Sequence, residues 1–281
     1  MALKPAIVNV MEGAARKAAR GLVRDFGEVE QLQVSRKGPS DFVSAADLRA
    51  ERTLLRELRK GRPDFGLTME EGGSIPGAAT GDPATGDPAS DRWIVDPLDG
   101  TTNFLHGVPH FAVSIAHEAQ GRIVAGVVYQ PLTDELFWAV RGGGAFLNRR
   151  RLRVSSRSAM ADALLATGLP YRGKPKHPAY GATLEAILPA VAGVRRFGAA
   201  SLDLAWVAAG RFDGFWEFDL EPWDVAAGLL LVREAGGAVS DAAGRDRAWD
   251  GAEVLAGNAA LHGELRRLVG GALHGAGQSG E

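Results

Sequence analysis

Leu3, Ile7, Val10, Met11, Ala14, Ala18 and Leu22 recur at steps of three and four, while Lys4, Arg16, Lys17, Arg20 and Arg24 fill much of the space between them. That period predicts an amphipathic helix at the start of the chain. Gly38-Pro39-Ser40 is a break, and Asp41-Phe42-Val43 reads as a short extended piece. Ser44 with Asp47 three residues on resembles a capping box, which predicts a helix from there to near Arg59. Residues 72–90 contain Gly72-Gly73-Ser74-Ile75-Pro76-Gly77 and then a near-repeat of Thr-Gly-Asp-Pro-Ala. Such a composition cannot build a core and is expected to form a mobile surface loop.

Strand-like runs follow at Trp93–Val95, Phe111–His117, Ile123–Tyr129 and Leu136–Val140, with another beginning at Ala145–Leu147 after three glycines. The short turns between them predict an antiparallel meander. The second half alternates instead. Strands are expected at Leu164–Thr167, Arg195–Phe197, Gly214–Phe218, around Val239 and at Val254–Ala256. Helices are expected at Ala182–Val191 with an interruption at Pro189, at Leu202–Ala209, at Val225–Ala235 ended by Gly236-Gly237, and over 259–269. The whole reads as mixed α/β. It divides into an N-terminal α+β half (1–155), a C-terminal α/β half (156–270) and a flexible tail (271–281).

The 281 residues, 46% hydrophobic and 23% charged, are ordinary for a globular chain and fit one large domain or two half-domains sharing a core. A net charge of −2 gives no footprint for general nucleic-acid binding. The one basic cluster, Arg149-Arg150-Arg151 with Arg153, reads as a solvated hairpin. Without cysteine there is no disulfide, thiolate metal site or cysteine nucleophile. No signal-peptide core and no apolar run approaching roughly 20 residues is present, so no membrane is expected and the cytoplasm is the default location.

The chemistry concentrates in Trp93-Ile94-Val95-Asp96-Pro97-Leu98-Asp99-Gly100-Thr101-Thr102-Asn103-Phe104. A buried strand here delivers Asp96 and Asp99 to a turn. Two aspartates and an intervening carbonyl supply the oxygen ligands a hard cation needs. Gly100 allows close backbone approach, and a helix starting near Thr101 would point free N–H groups at an anion. Other acids look organised too: Asp47 and Glu51 one helical turn apart, Glu70-Glu71 before the loop, and Asp224 at the start of an alanine-rich helix. Taken singly each has a plainer reading: a helix cap for Asp47 and for Asp224, a solvated pair for Glu70-Glu71, and an Asp-Pro turn for Asp96 and Asp99. No His-Glu-x-x-His spacing occurs, and His106 and His110 read as structural hydrogen-bonding residues.

Together, Asp41–Glu51, Glu70-Glu71, Asp96–Phe104 and Trp223–Gly228, continuing to Glu234-Ala235-Gly236-Gly237, resemble the inositol monophosphatase family in order and spacing, over residues 5 to 265. The resemblance implies a layered αβαβα sandwich of the inositol monophosphatase and fructose-1,6-bisphosphatase type, and Mg²⁺-dependent, lithium-sensitive hydrolysis of phosphate monoesters in a homodimer. It implies two to three Mg²⁺ per site. Glu70, Asp96 and the Leu98 carbonyl hold the first, Asp96, Asp99 and Asp224 the second, and Glu70 helps hold a third, weaker one. It further implies that Thr101, paired with Asp47, orients the attacking water, that Gly100 and Thr101 amides with Thr102 cradle the phosphate, and that Glu217, Ala200 and Asp224 meet the hydroxyls of a polyol.

Two departures from the family pattern stand out, at Met69 and in the connection after Glu71, which lacks the usual compact sequence. Met69 replaces the glycine usual before the paired glutamates, which predicts an altered turn around Glu70. Lys37 stands where a phosphate-side lysine is frequent, and reads equally as an exposed loop residue. Gly198-Ala199-Ala200-Ser201 matches a segment that contacts substrate hydroxyls, while Asp219 reads as solvent-facing. Inositol 1-phosphate is the expected substrate. Histidinol phosphate, 3′-phosphoadenosine 5′-phosphate and fructose 1,6-bisphosphate are the alternatives within the same chemistry, and a regulatory binding role on the same fold is the alternative outside it.

Overall fold

The computed structural model describes residues 4–26, 34–38, 41–77, 91–170, 176–246 and 253–278. The first half runs α1 (Ala6–Phe26), β1 (Val34–Gly38), β2 (Asp41–Ser44), α2 (Ala45–Gly61), β3 (Gly66–Met69), β4 (Gly73–Ile75), β5 (Arg92–Asp99), α3 (Thr101–Leu105), β6 (Ala112–Ala119), β7 (Arg122–Gln130), β8 (Glu135–Val140), β9 (Gly144–Leu147) and β10 (Arg150–Arg151). The second half runs β11 (Leu164–Thr167), α4 (His177–Ile187), β12 (Gly193–Arg195), α5 (Ala200–Ala208), β13 (Gly214–Phe218), α6 (Pro222–Glu234), β14 (Gly237–Ser240), β15 (Glu253–Asn258) and α7 (Ala259–Gln278). Among the described residues, β1 and β2 pair with each other, eight strands form a sheet in the order β10-β9-β8-β7-β6-β5-β3-β4, and five form another in the order β12-β11-β13-β15-β14. The meander predicted from the short turns is the antiparallel run from β5 to β9.

Alternate residues of each central strand face different helix layers. On β5, Trp93 and Val95 share a buried cluster with Met11, Leu22 and Leu54 of α1 and α2. Ile94 joins Leu204, Val225 and Leu229 of α5 and α6 in a second cluster. Covered on both faces, β5 has no polar face over Trp93–Val95, which is why that stretch reads as an unbroken apolar run. In the smaller sheet, Phe215, Val254 and Ala256 face α5 and α6. Their neighbours Trp216 and Leu255 pack with Tyr180 and Ile187 of α4 and with Leu261 and Leu265 of α7. The layers are thus α1/α2, large sheet, α5/α6, small sheet, α4/α7, the αβαβα sandwich expected.

Several elements differ from the sequence reading. Gly73–Ile75, inside the expected loop, pairs antiparallel with Leu67–Met69. The rest of that loop from 78 to 90, the Pro39-Ser40 part of the break, and the side chain of Lys37 lie outside the described residues. The helix predicted from Ala182 begins a turn earlier at His177 and gives way to a 3₁₀ turn, Leu188–Ala190, at Pro189. The strand expected at 195–197 sits at Gly193–Arg195. The last helix does not fray at Gly270; Leu268 and Leu273 pack against the third cluster and carry it to Gln278. Among the described residues no helix is long and apolar enough to cross a membrane.

Candidate active site

The end of β5 is built to leave the sheet. Asp96 pairs with Ser114 of β6, but the next partners are Asp99 and Ala112, so β5 spends one more residue than β6 across this step. Pro97 has no N–H to give the ladder, and such a bulge redirects the chain. The Leu98 N–H turns back to donate to Asp96 Oδ1 at 2.9 Å. Leu98 itself is buried in the core, while its carbonyl oxygen lies 3.0 Å from Thr101 Oγ1. Gly100 adopts φ +93°, a left-handed conformation that favours glycine, and a β-carbon there would lie 3.0 Å from the His110 carbonyl oxygen. The chain then enters the short helix α3. Asn103 ties this helix to the second half of the protein: its Nδ2 donates to the carbonyls of His110 at 2.8 Å and Phe197 at 2.7 Å.

Helix α2 supports the site from below. Asp47, fully buried, divides its carboxylate between two tasks. Oδ2 accepts the Ser44 N–H at 2.9 Å and the Ser44 hydroxyl, completing the capping box. Oδ1 accepts the Thr101 hydroxyl at 2.9 Å. One carboxylate thus caps the helix and bonds to Thr101. One turn on, Glu51 accepts the N–H groups of Glu71 at 2.9 Å and Gly72 at 3.2 Å, holding the turn that carries Glu70. Met69 is buried, and its pairing with Val95 in the parallel β3–β5 ladder sets Glu70 beside Asp96.

The remaining two acids, Asp99 at the end of β5 and Asp224, are fixed by the first turns of α5 and α6. Asp99 Oδ2 accepts both the N–H of Ser201 at 2.8 Å and its hydroxyl at 2.5 Å, at the start of α5. Asp224, in the first turn of α6, accepts the Glu221 N–H at 2.8 Å, so the helix is capped from Glu221 and Asp224 reaches back to it. Glu70, Asp99, Gly100, Thr101, Thr102, Ala200, Glu217 and Asp224 all line one cavity of about 440 Å³. Asp219, expected in solvent, also lines it and is paired with Lys176 at 2.7 Å.

The electrostatics of this cavity are one-sided. Among the described residues six carboxylates line it (Glu70, Asp99, Glu217, Asp219, Glu221 and Asp224), against the one guanidinium of Arg196. Burial, then repulsion from Glu70, Asp99 and Asp224, holds the Asp96 carboxyl well above its usual range. Burial, then Asp99, does the same to Asp224. Asp99 is raised by burial, with the Ser201 bonds pulling it back. Burial, then Asp203 and Asp99, pushes Glu217 up to about 8. Like charges gathered under low dielectric oppose one another unless a cation is placed among them. Among the described residues no three side chains stand as a ready metal cage. The donor set nevertheless fits a hard divalent ion: it is all oxygen, it is over-negative, and hydrogen bonds fix one oxygen each of Asp96, Asp99 and Asp224.

An inositol monophosphatase family model matches residues 5–274. The chain belongs to the inositol monophosphatase family. It is 54% identical to the inositol-1-monophosphatase of Rhizobium meliloti, across 95% of this chain and 97% of that one. It is 46% identical to the Nus factor SuhB of Pseudomonas aeruginosa, across 90% and 91%. The crystal structure of extragenic suppressor protein suhB from Bartonella henselae superposes with a TM-score of 0.88 at 54% identity, over 94% of this chain and 98% of that chain. As an inositol monophosphatase family member the protein is a phosphoric monoester hydrolase acting on small polyol or sugar phosphates.

Within this family member, sequence reasoning left three supporting residues without their partners. Ser201 belongs to the segment expected to contact substrate hydroxyls, yet its N–H and hydroxyl are both given to Asp99. Asn103 and Glu51 lie inside the motifs, but nothing local shows that they brace Phe197 and the Glu70 turn. His110 differs from its expected role. Its ring is buried, stacks on Phe197 at 4.8 Å between centroids, and has Nε2 3.5 Å from Asp203 without a hydrogen bond.

Proposed function

We propose that the protein hydrolyses inositol 1-phosphate, or a closely similar polyol phosphate, with Mg²⁺ as cofactor. The observation that carries this reading is the placement of Glu217 in the same cavity as the Asp99–Asp224 carboxylates. Glu70, Asp96 and the Leu98 carbonyl would hold one ion, Asp96, Asp99 and Asp224 a second, and Glu70 would share in a third. Magnesium supplies, when bound, Lewis-acid neutralisation of the phosphate oxygens and of the leaving alkoxide. The chain's own residues do the rest. Thr101 gives its hydrogen to Asp47, which leaves lone pairs on Oγ1 to accept from, and so orient, the attacking water. Gly100 and Thr101 offer amides to the phosphate, with the Thr102 hydroxyl beside them. Glu217, Ala200 and Asp224 face the ring, where carboxylates accept hydrogen bonds from vicinal hydroxyls.

The deciding experiment is phosphate release with and without Mg²⁺ from inositol 1-phosphate, histidinol phosphate, 3′-phosphoadenosine 5′-phosphate and fructose 1,6-bisphosphate. The highest kcat/KM is expected on inositol 1-phosphate, and a higher value on another member of the panel overturns the substrate. Glu217→Gln is expected to raise KM for inositol 1-phosphate about tenfold, the scale of one charge-assisted hydrogen bond, and to affect a small aryl phosphate far less. An equal change on both removes Glu217 from substrate selection. A second reading, a regulatory binding role, is favoured by the 46% identity to a chain named as a Nus factor. A folded protein inert on the whole panel would support it.

The same carboxylates predict a linkage between pH and metal. Without a divalent ion the folded chain holds these protons more tightly than the unfolded chain does. The stability they contribute is complete below the unfolded range, near 4.5 for glutamate, and is lost as pH rises to the folded value, about 8 for Glu217. Melting temperatures in chelator are therefore expected to fall across that window. Magnesium, substituting for the protons, is expected to raise them most at the alkaline end. Equal magnesium effects at both ends would detach the cation from these groups.

A further inference from the structure

We propose that Gly168 is a specificity-determining position, its missing side chain forming the seat in which the Glu217 carboxylate lies. The inference rests on the reading of Glu217 as the polyol-binding acid. β11 and β13 run parallel with Thr167 opposite Trp216, so Gly168 and Glu217 are the next residues along, where both strands reach the cavity. The Thr167 hydroxyl donates to the Trp216 carbonyl at 2.6 Å, which clamps the two strand ends together. The Gly168 N–H donates to the Glu217 carboxylate. A β-carbon on Gly168 would fall inside the van der Waals radii of all three carboxyl atoms, Oε1, Cδ and Oε2.

The glycine is not there for its backbone. Its φ lies outside the left-handed region, so alanine can adopt the same conformation. What alanine would meet is the far end of a flexible side chain, which can swing away at small cost to the fold. The cost falls on recognition instead. The carboxylate, pushed off Gly168, loses its amide donor and moves into the space a ring hydroxyl would fill. Occupancy of position 168 therefore sets whether the cavity selects a phosphate carried on a polyol over one carried on a group without vicinal hydroxyls.

The test compares wild type, Gly168→Ala, Glu217→Gln and the double variant. The quantity read is the ratio of kcat/KM on inositol 1-phosphate to kcat/KM on p-nitrophenyl phosphate, together with KM and the melting temperature. Gly168→Ala is expected to lower that ratio about tenfold, chiefly through KM for inositol 1-phosphate, with a small change in melting temperature. In the Glu217→Gln background the same substitution is expected to change the ratio less than about twofold, since the two act through one contact. A wild-type ratio for Gly168→Ala beside a reduced one for Glu217→Gln overturns this proposal alone, as does an undiminished further loss in the double variant. A wild-type ratio for Glu217→Gln overturns the parent reading and this one with it. If Gly168→Ala does not fold, Gly168→Ala with Glu217→Asp, whose carboxyl is one methylene shorter, decides. A folded pair supports the collision and an unfolded pair overturns it.

Discussion

Asp99→Asn is expected to abolish turnover while leaving the protein folded. The amide keeps the shape of the carboxylate, and its oxygen still accepts the N–H and hydroxyl of Ser201. What it loses is the charge that a divalent ion requires. A fall in kcat of about a thousandfold or more, equivalent to roughly 4 kcal/mol of barrier, is the expected scale for losing an acid proposed to hold the second ion. Stability moves the other way. Asp99 repels Asp96 and Asp224, and the neutral amide relieves both. In chelator the variant is expected to melt no lower than the wild type, a trade of stability for activity common at working sites. Steady-state phosphate release and thermal melts check the two halves; near wild-type rates would remove Asp99 from the metal assignment.

Thr101 carries the second large effect. Thr101→Ala removes the hydroxyl that joins Asp47 to the cavity, and kcat is expected to fall about a hundredfold, within the range for losing a water-orienting group. Thr101→Ser restores the hydroxyl and is expected to recover most of the rate. Alanine also leaves Asp47 Oδ1, in a fully buried side chain, without its donor. That omission is expected to destabilise the fold by about 1–3 kcal/mol, and serine is expected to repair it. Equal rates for the alanine and serine variants would show that the hydroxyl plays no part in orienting water.

How far the sequence spoke for itself depended on whether the cause was local. The Ser44–Asp47 cap lies within three residues and could be read directly. The meander strands carry apolar residues on both faces, as at Trp93-Ile94-Val95, because helices cover both faces of the sheet. β4 was hidden because Gly73-Ser74-Ile75 has a loop's composition and is a strand only through its pairing with β3. The seat of Met69 opposite Val95 is likewise set by pairing between separate strands and leaves no local signature. The acids were legible as motifs, but not the residues that hold them. Ser201 reaches Asp99 across 102 positions, and Glu51 reaches Gly72 across 21.

The helix layer between the two sheets has a consequence for how the enzyme comes into being. Ser201 sits in the first turn of one of those helices and Asp224 in the first turn of the other. A ribosome that has finished the meander has already made Asp47, Glu70, Asp96 and Asp99, yet has no partner for Asp99 and no Asp224. Competence therefore arrives late in synthesis, and fragments that stop before residue 224 are expected to be inert however well they fold.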